Sequence, residues 1–219
     1  MGTTPQPDPR SAAVTFITTE HFTLQGARAA TIAESTGRAS VFLGAVSGGL
    51  IALGFLGQAS HLGTAFYAFG LILLPTLAFL GLVTFHRVFQ SGREDAIYAH
   101  RIARLRGYYF DAAPEVTPYL LSVPSEQRLE IQGLSTSAPQ KFLTIAGTVA
   151  VITSVLAGAA AGLLGAVLSG HSAAVAFSSG AVIAAVTIFL MIRYIGAQMA
   201  LPLYPQPPPA ETATNTPID

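Results

Sequence analysis

The chain of 219 residues has no cysteine and no tryptophan, and only 10% of its residues are charged. The missing cysteines exclude disulfides, thiolate metal ligands and cysteine nucleophiles together. A second absence is positional. No Asp, Glu, Lys or Arg occurs in residues 39–86 or in residues 142–192, and both stretches are rich in Leu, Ile, Val, Phe, Ala and Gly. As one helix at about 1.5 Å per residue, the first stretch would reach roughly 70 Å, more than twice a hydrocarbon core of about 30 Å. Each stretch must therefore cross a membrane, fold back and cross again.

Short polar, Gly-containing segments mark the turning points, Gly57-Gln58-Ala59-Ser60-His61-Leu62-Gly63 in the first stretch and Ser169-Gly170-His171-Ser172 in the second. The pattern predicts an all-α polytopic membrane protein with four transmembrane helices in two hairpins, at about 39–58, 64–86, 143–168 and 173–196. The organisation that follows is a disordered tail over 1–18, then a unit over 19–110 made of a helix, the first hairpin and an Arg-rich helix. A Pro-rich connector over 111–141, the second hairpin within 142–198 and a disordered Pro-rich tail over 199–219 complete it. The connector carries Pro114, Pro118, Pro124 and Pro139, which forbid one long helix, and the apolar Tyr119-Leu120-Leu121 is suited to the membrane interface or to capping the helices nearby. Residues 1–18 do not read as a signal peptide, so the first span is expected to be an uncleaved anchor.

Charge placement orients the spans. The eleven Lys and Arg residues flank the hairpins and lie between them, and neither hairpin tip holds one. The positive-inside rule places both termini and the central connector in the cytoplasm. The eleven Asp and Glu residues fall on the same side, so the zero net charge conceals a segregation of charge by compartment and says nothing about partners. Ten Arg against one Lys, with abundant Ala, suggests a high-GC genome, and a bacterial plasma membrane is the expected location.

Proline-free sequence continues beyond the first hairpin at both ends. Residues from Thr19 include a Glu34–Arg38 pair at i,i+4 spacing and read as a helix leading into span one, with Gly37 a candidate break. Span two continues past Arg87 to Arg106-Gly107. The two extensions, about 20 residues each, should project about 30 Å from one membrane face as a paired cytoplasmic stalk. The pair is expected to need further partners to bury Phe22, Leu24, Phe89, Ile97, Ile102 and Leu105. Glu94 and Asp95 do not neutralise Arg101, Arg104 or Arg106 within their own helix, where residues three and four positions on are Ile97, Tyr98 and Ala99. Three readings stay open for these arginines: a solvated helix end that suits the dipole, pairing with Glu20 or Glu34 of the facing helix, or contact with an anionic ligand, lipid or partner.

Inside the membrane, small residues recur at helical spacing: Gly44 and Gly48 in span one, and Ala157, Gly158, Ala161, Gly162 and Gly165 in span three. They are candidate helix-packing faces. Pro75 is expected to kink span two. Ser47, Thr76, Thr144, Thr148, Thr153 and Ser154 are expected to bond their own helices. His61 and His171, one in each tip, are candidates for an outer-face pH response, and two such residues are too few for a tight metal site. No ionisable group sits at mid-membrane, which argues against a coupled pump, and no G-x-S-x-G elbow is present. No catalytic residue, cofactor or metal site is expected, and no nucleic-acid partner.

The helix carrying Arg28, Glu34 and Gly37-Arg38, the hairpin after it, and the run Arg101-Ile102-Ala103-Arg104-Leu105-Arg106-Gly107-Tyr108-Tyr109 resemble uncharacterised four-span membrane proteins of actinobacteria. More distantly, they resemble the SLATT membrane modules of bacterial conflict systems. The resemblance covers roughly residues 19–109 and leaves out the second hairpin. It implies a pore-forming effector activated by an associated sensor. The leading expectation is a non-enzymatic, homo-oligomeric channel or pore gated through its cytoplasmic helices by a signalling partner. The alternatives are a membrane-anchored scaffold or regulatory subunit, and a facilitator for a small neutral solute. The topology is directly measurable in this cysteine-free chain: Ser60→Cys and Ser172→Cys should react with a membrane-impermeant maleimide on intact cells, and Thr19→Cys only after permeabilisation.

Overall fold

A computed structural model describes residues 9–112, 115 and 144–199, and among these residues the α-helices are four: α1 (Pro9–Ala59), α2 (Thr64–Ala112), α3 (Ile145–Leu168) and α4 (Ala173–Met199). No strand occurs among the described residues. All four helices are long and apolar enough to cross a membrane. A peptide group in lipid has no water to bond, so spans must satisfy their backbone within the helix. The chain is thus a four-helix, multi-pass membrane protein.

Helix α1 begins at Pro9, not at Thr19, which corrects the expected tail over 1–18. Proline suits a first helical turn, where its missing N–H has no partner to lose, and no proline follows until Pro75. Gly37 does not interrupt α1, and α2 continues through Pro75 to Ala112. Helix α4 extends to Met199. The rest of the expected connector and both terminal segments (1–8, 113–114, 116–143 and 200–219) lie outside the described residues.

The two tips close with helix-ending bonds. Leu62 N–H donates to the Gly57 carbonyl at 3.0 Å and His171 N–H to the Ala166 carbonyl at 2.7 Å. These six-residue closures need left-handed backbone, taken by Gly170 (φ 68°) in the second tip and by His61 (φ 49°) and Leu62 (φ 57°) in the first. At the start of α3, the Thr144 hydroxyl accepts from Gly147 N–H at 3.0 Å.

Helices α1 and α2 pack along their length in one antiparallel register: Arg28 faces Asp95, Phe42 faces Gly81, Leu53 faces Gly70, and Gly57 faces Phe66. Buried residues recur at steps of three or four residues or sums of these, at Leu24, Thr31, Ser35, Ala39, Phe42 and Val46 on α1 and at Leu74, Leu77, Thr84, Val88, Ser91 and Ile102 on α2, where Phe85 and Phe89 are buried as well. That spacing belongs to helices that wrap around one another. Helix α3 packs on α2 and α4 packs on α3, with little contact between α1 and α3. Phe42 and Val149, each 1% exposed, lie at the centre where α1, α2 and α3 meet. Gly81 makes this junction possible, because a Cβ there would come within 2.9 Å of the Phe42 ring and would also strike the Thr153 hydroxyl.

Small residues join α3 to α4. A Cβ on Gly158 would sit 2.7 Å from the Gly180 carbonyl oxygen, and one on Gly162 would sit 2.9 Å from the Ala176 carbonyl oxygen. Gly165 meets the Ser179 hydroxyl in the same way, and that hydroxyl reaches the Ala161 carbonyl at 3.4 Å. Lipid supplies no hydrophobic drive between helices, so such backbone proximity sets the pairing. Gly44 and Gly48 differ: open space lies where their Cβ atoms would be, so they pack against none of the described helices. Introducing one methyl tests the contact. Gly158→Ala should lower stability in detergent by about 1–3 kcal/mol by overpacking, whereas Gly54→Ala, which faces open space, should not lower it.

Candidate functional site: the two-helix stalk

Arg38 and Arg87 bound the uncharged part of the first hairpin. Beyond them α1 and α2 continue together for roughly 40 Å at about 1.5 Å per residue, longer than the expected 30 Å. The seam changes character at this border. Within the hairpin it is mainly apolar, with Phe42, Val46, Leu74 and Leu77, while in the stalk Thr31, Ser35 and Ser91 occupy buried positions beside Leu24, Val88, Phe89 and Ile102. The Thr31 hydroxyl donates to the Ala27 carbonyl at 3.0 Å, which settles its hydrogen bond inside the helix.

An ion pair between Arg28 and Asp95 crosses the seam. Arg28 Nε donates to Asp95 Oδ1 at 2.6 Å and Arg28 Nη2 to Asp95 Oδ2 at 3.3 Å, a two-pronged contact with both side chains about four-fifths buried. Glu34 is held by Arg38 on its own helix at 2.7 Å, as the i,i+4 spacing predicts, and this corrects the alternative in which Glu34 meets the arginine run of α2. Glu20 is exposed and forms no ion pair among the described residues. Arg101 and Arg104 stand exposed on α2, and Arg106 is half-buried.

Arg106 lines a cleft of about 370 Å³ between the stalk helices, with Gln25, Arg28, Ala29, Ile32 and Ile102. Next to the cleft, the amide of Gln25 lies 2.9 Å from His21 Nε2, and the His21 ring meets Tyr109 of α2 edge-on at 6.0 Å between centroids. His21 Nδ1 is buried without a hydrogen-bond partner. Loss of hydration at this site, and then the nearby Arg106 charge, lower the His21 pKa below its ordinary value of 6.5. Of the apolar stalk residues expected to need covering, Leu24, Phe89 and Ile102 are buried, Ile97 and Leu105 are half-buried, and Phe22 remains 66% exposed.

Helix α4 is tied to α2 at the membrane border. Tyr194 sits against Phe85 and Phe89 and its hydroxyl lies 3.1 Å from His86 Nδ1, while Arg93 donates to Gln198 Oε1 at 2.8 Å. At the opposite end His171 packs edge-on against Tyr67 at 4.9 Å, so its nearest ring belongs to α2 and not to the His61 tip. Among the described residues no three His, Asp or Glu side chains gather to hold a metal. The span hydroxyls Thr76, Thr148, Thr153 and Ser154 donate to carbonyls four residues earlier. Ser47 is exposed and forms no hydrogen bond among the described residues.

Sequence reasoning picked out Arg106 but missed His21, Arg28, Asp95 and Tyr194. A signal existed, because His21, Leu24, Arg28, Thr31 and Ser35 keep the same three- and four-residue spacing as the apolar seam of span one. Polar side chains hid that period from a hydrophobicity-led reading. These features define a four-span membrane protein with a two-helix stalk. No protein-family model, curated protein or solved structure matches the chain. A double-mutant cycle with Arg28→Ala and Asp95→Ala should give a coupling of about 1 kcal/mol. Amide exchange in residues 24–35 is the readout, with each single substitution speeding it about fivefold.

Proposed function

We propose that this protein is a homo-oligomeric channel or pore-forming effector of a bacterial plasma membrane, non-enzymatic and gated through its stalk. The observation that carries the reading is the outer face of α1. Gly37, Ser40, Gly44, Ser47 and Gly48 lie there exposed, and the three glycines look onto open space. A face turned to lipid calls for bulky apolar side chains, like Val41, Ile51 and Phe55 nearby. Small and hydroxyl-bearing residues suit close contact with another copy or the wall of a narrow aqueous path. The same residues begin at Gly37, where the stalk enters the membrane, and α1 has no joint there.

In this reading the stalk is cytoplasmic and receives the input, from a signalling partner or ligand, and α1 delivers it to the span at the interface between copies. The resemblance of residues 19–109 to SLATT modules points the same way. A second reading, a membrane-anchored scaffold that docks a partner or anionic lipid, draws on the cleft carrying Arg28 and Arg106.

Planar-bilayer recording of the purified protein, with its oligomeric mass measured in the same detergent, separates the two. The pore predicts discrete current steps from a closed oligomer. Gly44→Leu should abolish both the steps and the oligomer while leaving a helical, folded chain. A protein silent across voltage, pH and anionic lipids would support the scaffold.

A further inference from the structure

We infer that His21 is an acid-sensitive latch holding the far end of the two-helix stalk closed, its neutral ring seated between α1 and α2 and its protonated ring expelled. The argument starts from hydrogen-bond inventory. A neutral imidazole has one donor and one acceptor nitrogen. If the Gln25 amide donates to Nε2, then Nδ1 carries the proton and has no acceptor. If the amide is turned so that its oxygen accepts from Nε2, then Nδ1 is an acceptor with no donor. Nδ1 is buried in either case. An imidazolium is more demanding, since both nitrogens donate and Nδ1–H would be a buried cationic donor facing nothing.

The described surroundings offer no compensating charge. From α2, Arg106 brings a like charge and Tyr109 brings a ring edge-on. From α1, Phe22 adds a second ring and Glu20, the neighbouring acid, is exposed. Among the described residues no carboxylate lies within ion-pair distance of the imidazole. Among the described residues of the second hairpin, the contact furthest along the stalk is that of Gln198 with Arg93, well short of His21. A ring freed into water regains hydration and escapes Arg106.

The direction of the pH dependence follows from linkage. The released ring titrates near the ordinary value of 6.5 and the seated ring below it. Above 6.5 both are neutral and the latch is indifferent to pH. As pH falls below 6.5 the released state binds more protons, so the closed stalk loses stability until the seated value is passed. The position multiplies the effect of one side chain: His21 lies toward the stalk's free end, beyond the Arg28–Asp95 pair that clamps it closer to the membrane. Releasing His21 therefore opens the outer part of the stalk and leaves the clamp in place. The latch stands whether or not the protein conducts ions, and its test does not use current.

The test uses the full chain in lipid nanodiscs with spin labels at Thr19→Cys and Ala112→Cys, exposed positions on α1 and α2. Distance distributions are recorded between about pH 8 and pH 5, the range in which histidine titrates. The latch predicts a short, narrow distance at high pH that becomes longer and broader below 6.5. His21→Phe, a permanently neutral ring, should keep the short distance throughout. Arg106→Gln, which brings the seated ring's value back toward 6.5 and so narrows the range over which the closed stalk loses stability, should move the transition to lower pH or shrink it. A pH-independent distance in the parent chain would overturn the latch, as would an unchanged transition in His21→Phe. Should His21→Phe fail to give the short distance at pH 8, the parent and Arg106→Gln series still decide, since a transition unchanged by Arg106→Gln is incompatible with a site that holds the two cations together.

Discussion

Every peptide group that enters hydrocarbon must be bonded within its own helix, and the architecture is the consequence of meeting that demand with two uncharged stretches, each too long for one crossing. The demand produces helices, and the length produces hairpins. It also explains why α1 and α2 carry on without a joint past Arg38 and Arg87. Once the backbone is committed to a helix through the hydrocarbon and no proline or cap stops it, continuing costs little, because nucleation has already occurred. The stalk is the part of the first hairpin that the membrane has no room for.

The same α1–α2 register runs through two solvents, and the side chains on the seam change with the solvent. In lipid, where apolar surface has no reason to hide, closeness is set by glycine and by ring-to-backbone contact, as at Gly81 with Phe42 and at Gly158 with Gly180. In water, burying apolar seam residues stabilises the pair, and the stalk does so with Leu24, Val88, Phe89 and Ile102, but it gives other buried positions to Thr31, Ser35, Ser91 and the Arg28–Asp95 pair. The Thr31 hydroxyl, bonded to its own helix, contributes little to holding the two helices together. The result is a seam that is more polar outside the membrane than within it.

The spans were legible because charge depletion over residues 39–86 and 142–192 leaves little else for those segments to be. Their polar midpoints locate the tips almost to the residue, since α1 ends at Ala59 and α2 starts at Thr64. The Gly158, Gly162 and Gly165 face of span three was readable for the same reason that it works, as small residues at one helical spacing permit close approach. That spacing does not say which helix approaches. Gly44 and Gly48 obey the same rule and meet nothing among the described residues. Gly81, Gly70 and Gly180 stand alone or off-period in sequence, and their importance comes only from the neighbour opposite, Phe42, Leu163 or Gly158. The cross-stalk partners were hidden differently. Asp95 pairs across 67 positions of sequence with Arg28, and only the hairpin register makes them neighbours.

The central claim is mechanical continuity between stalk and span. Residue-resolved amide exchange across residues 30–48 of the protein in nanodiscs tests it most directly. An unbroken α1 predicts protection that rises steadily from the stalk into the membrane with no fast-exchanging step at Gly37, Arg38 or Ala39. A cluster of rapidly exchanging amides at those residues, flanked by protected helix on both sides, would show a hinge at the membrane border and contradict it.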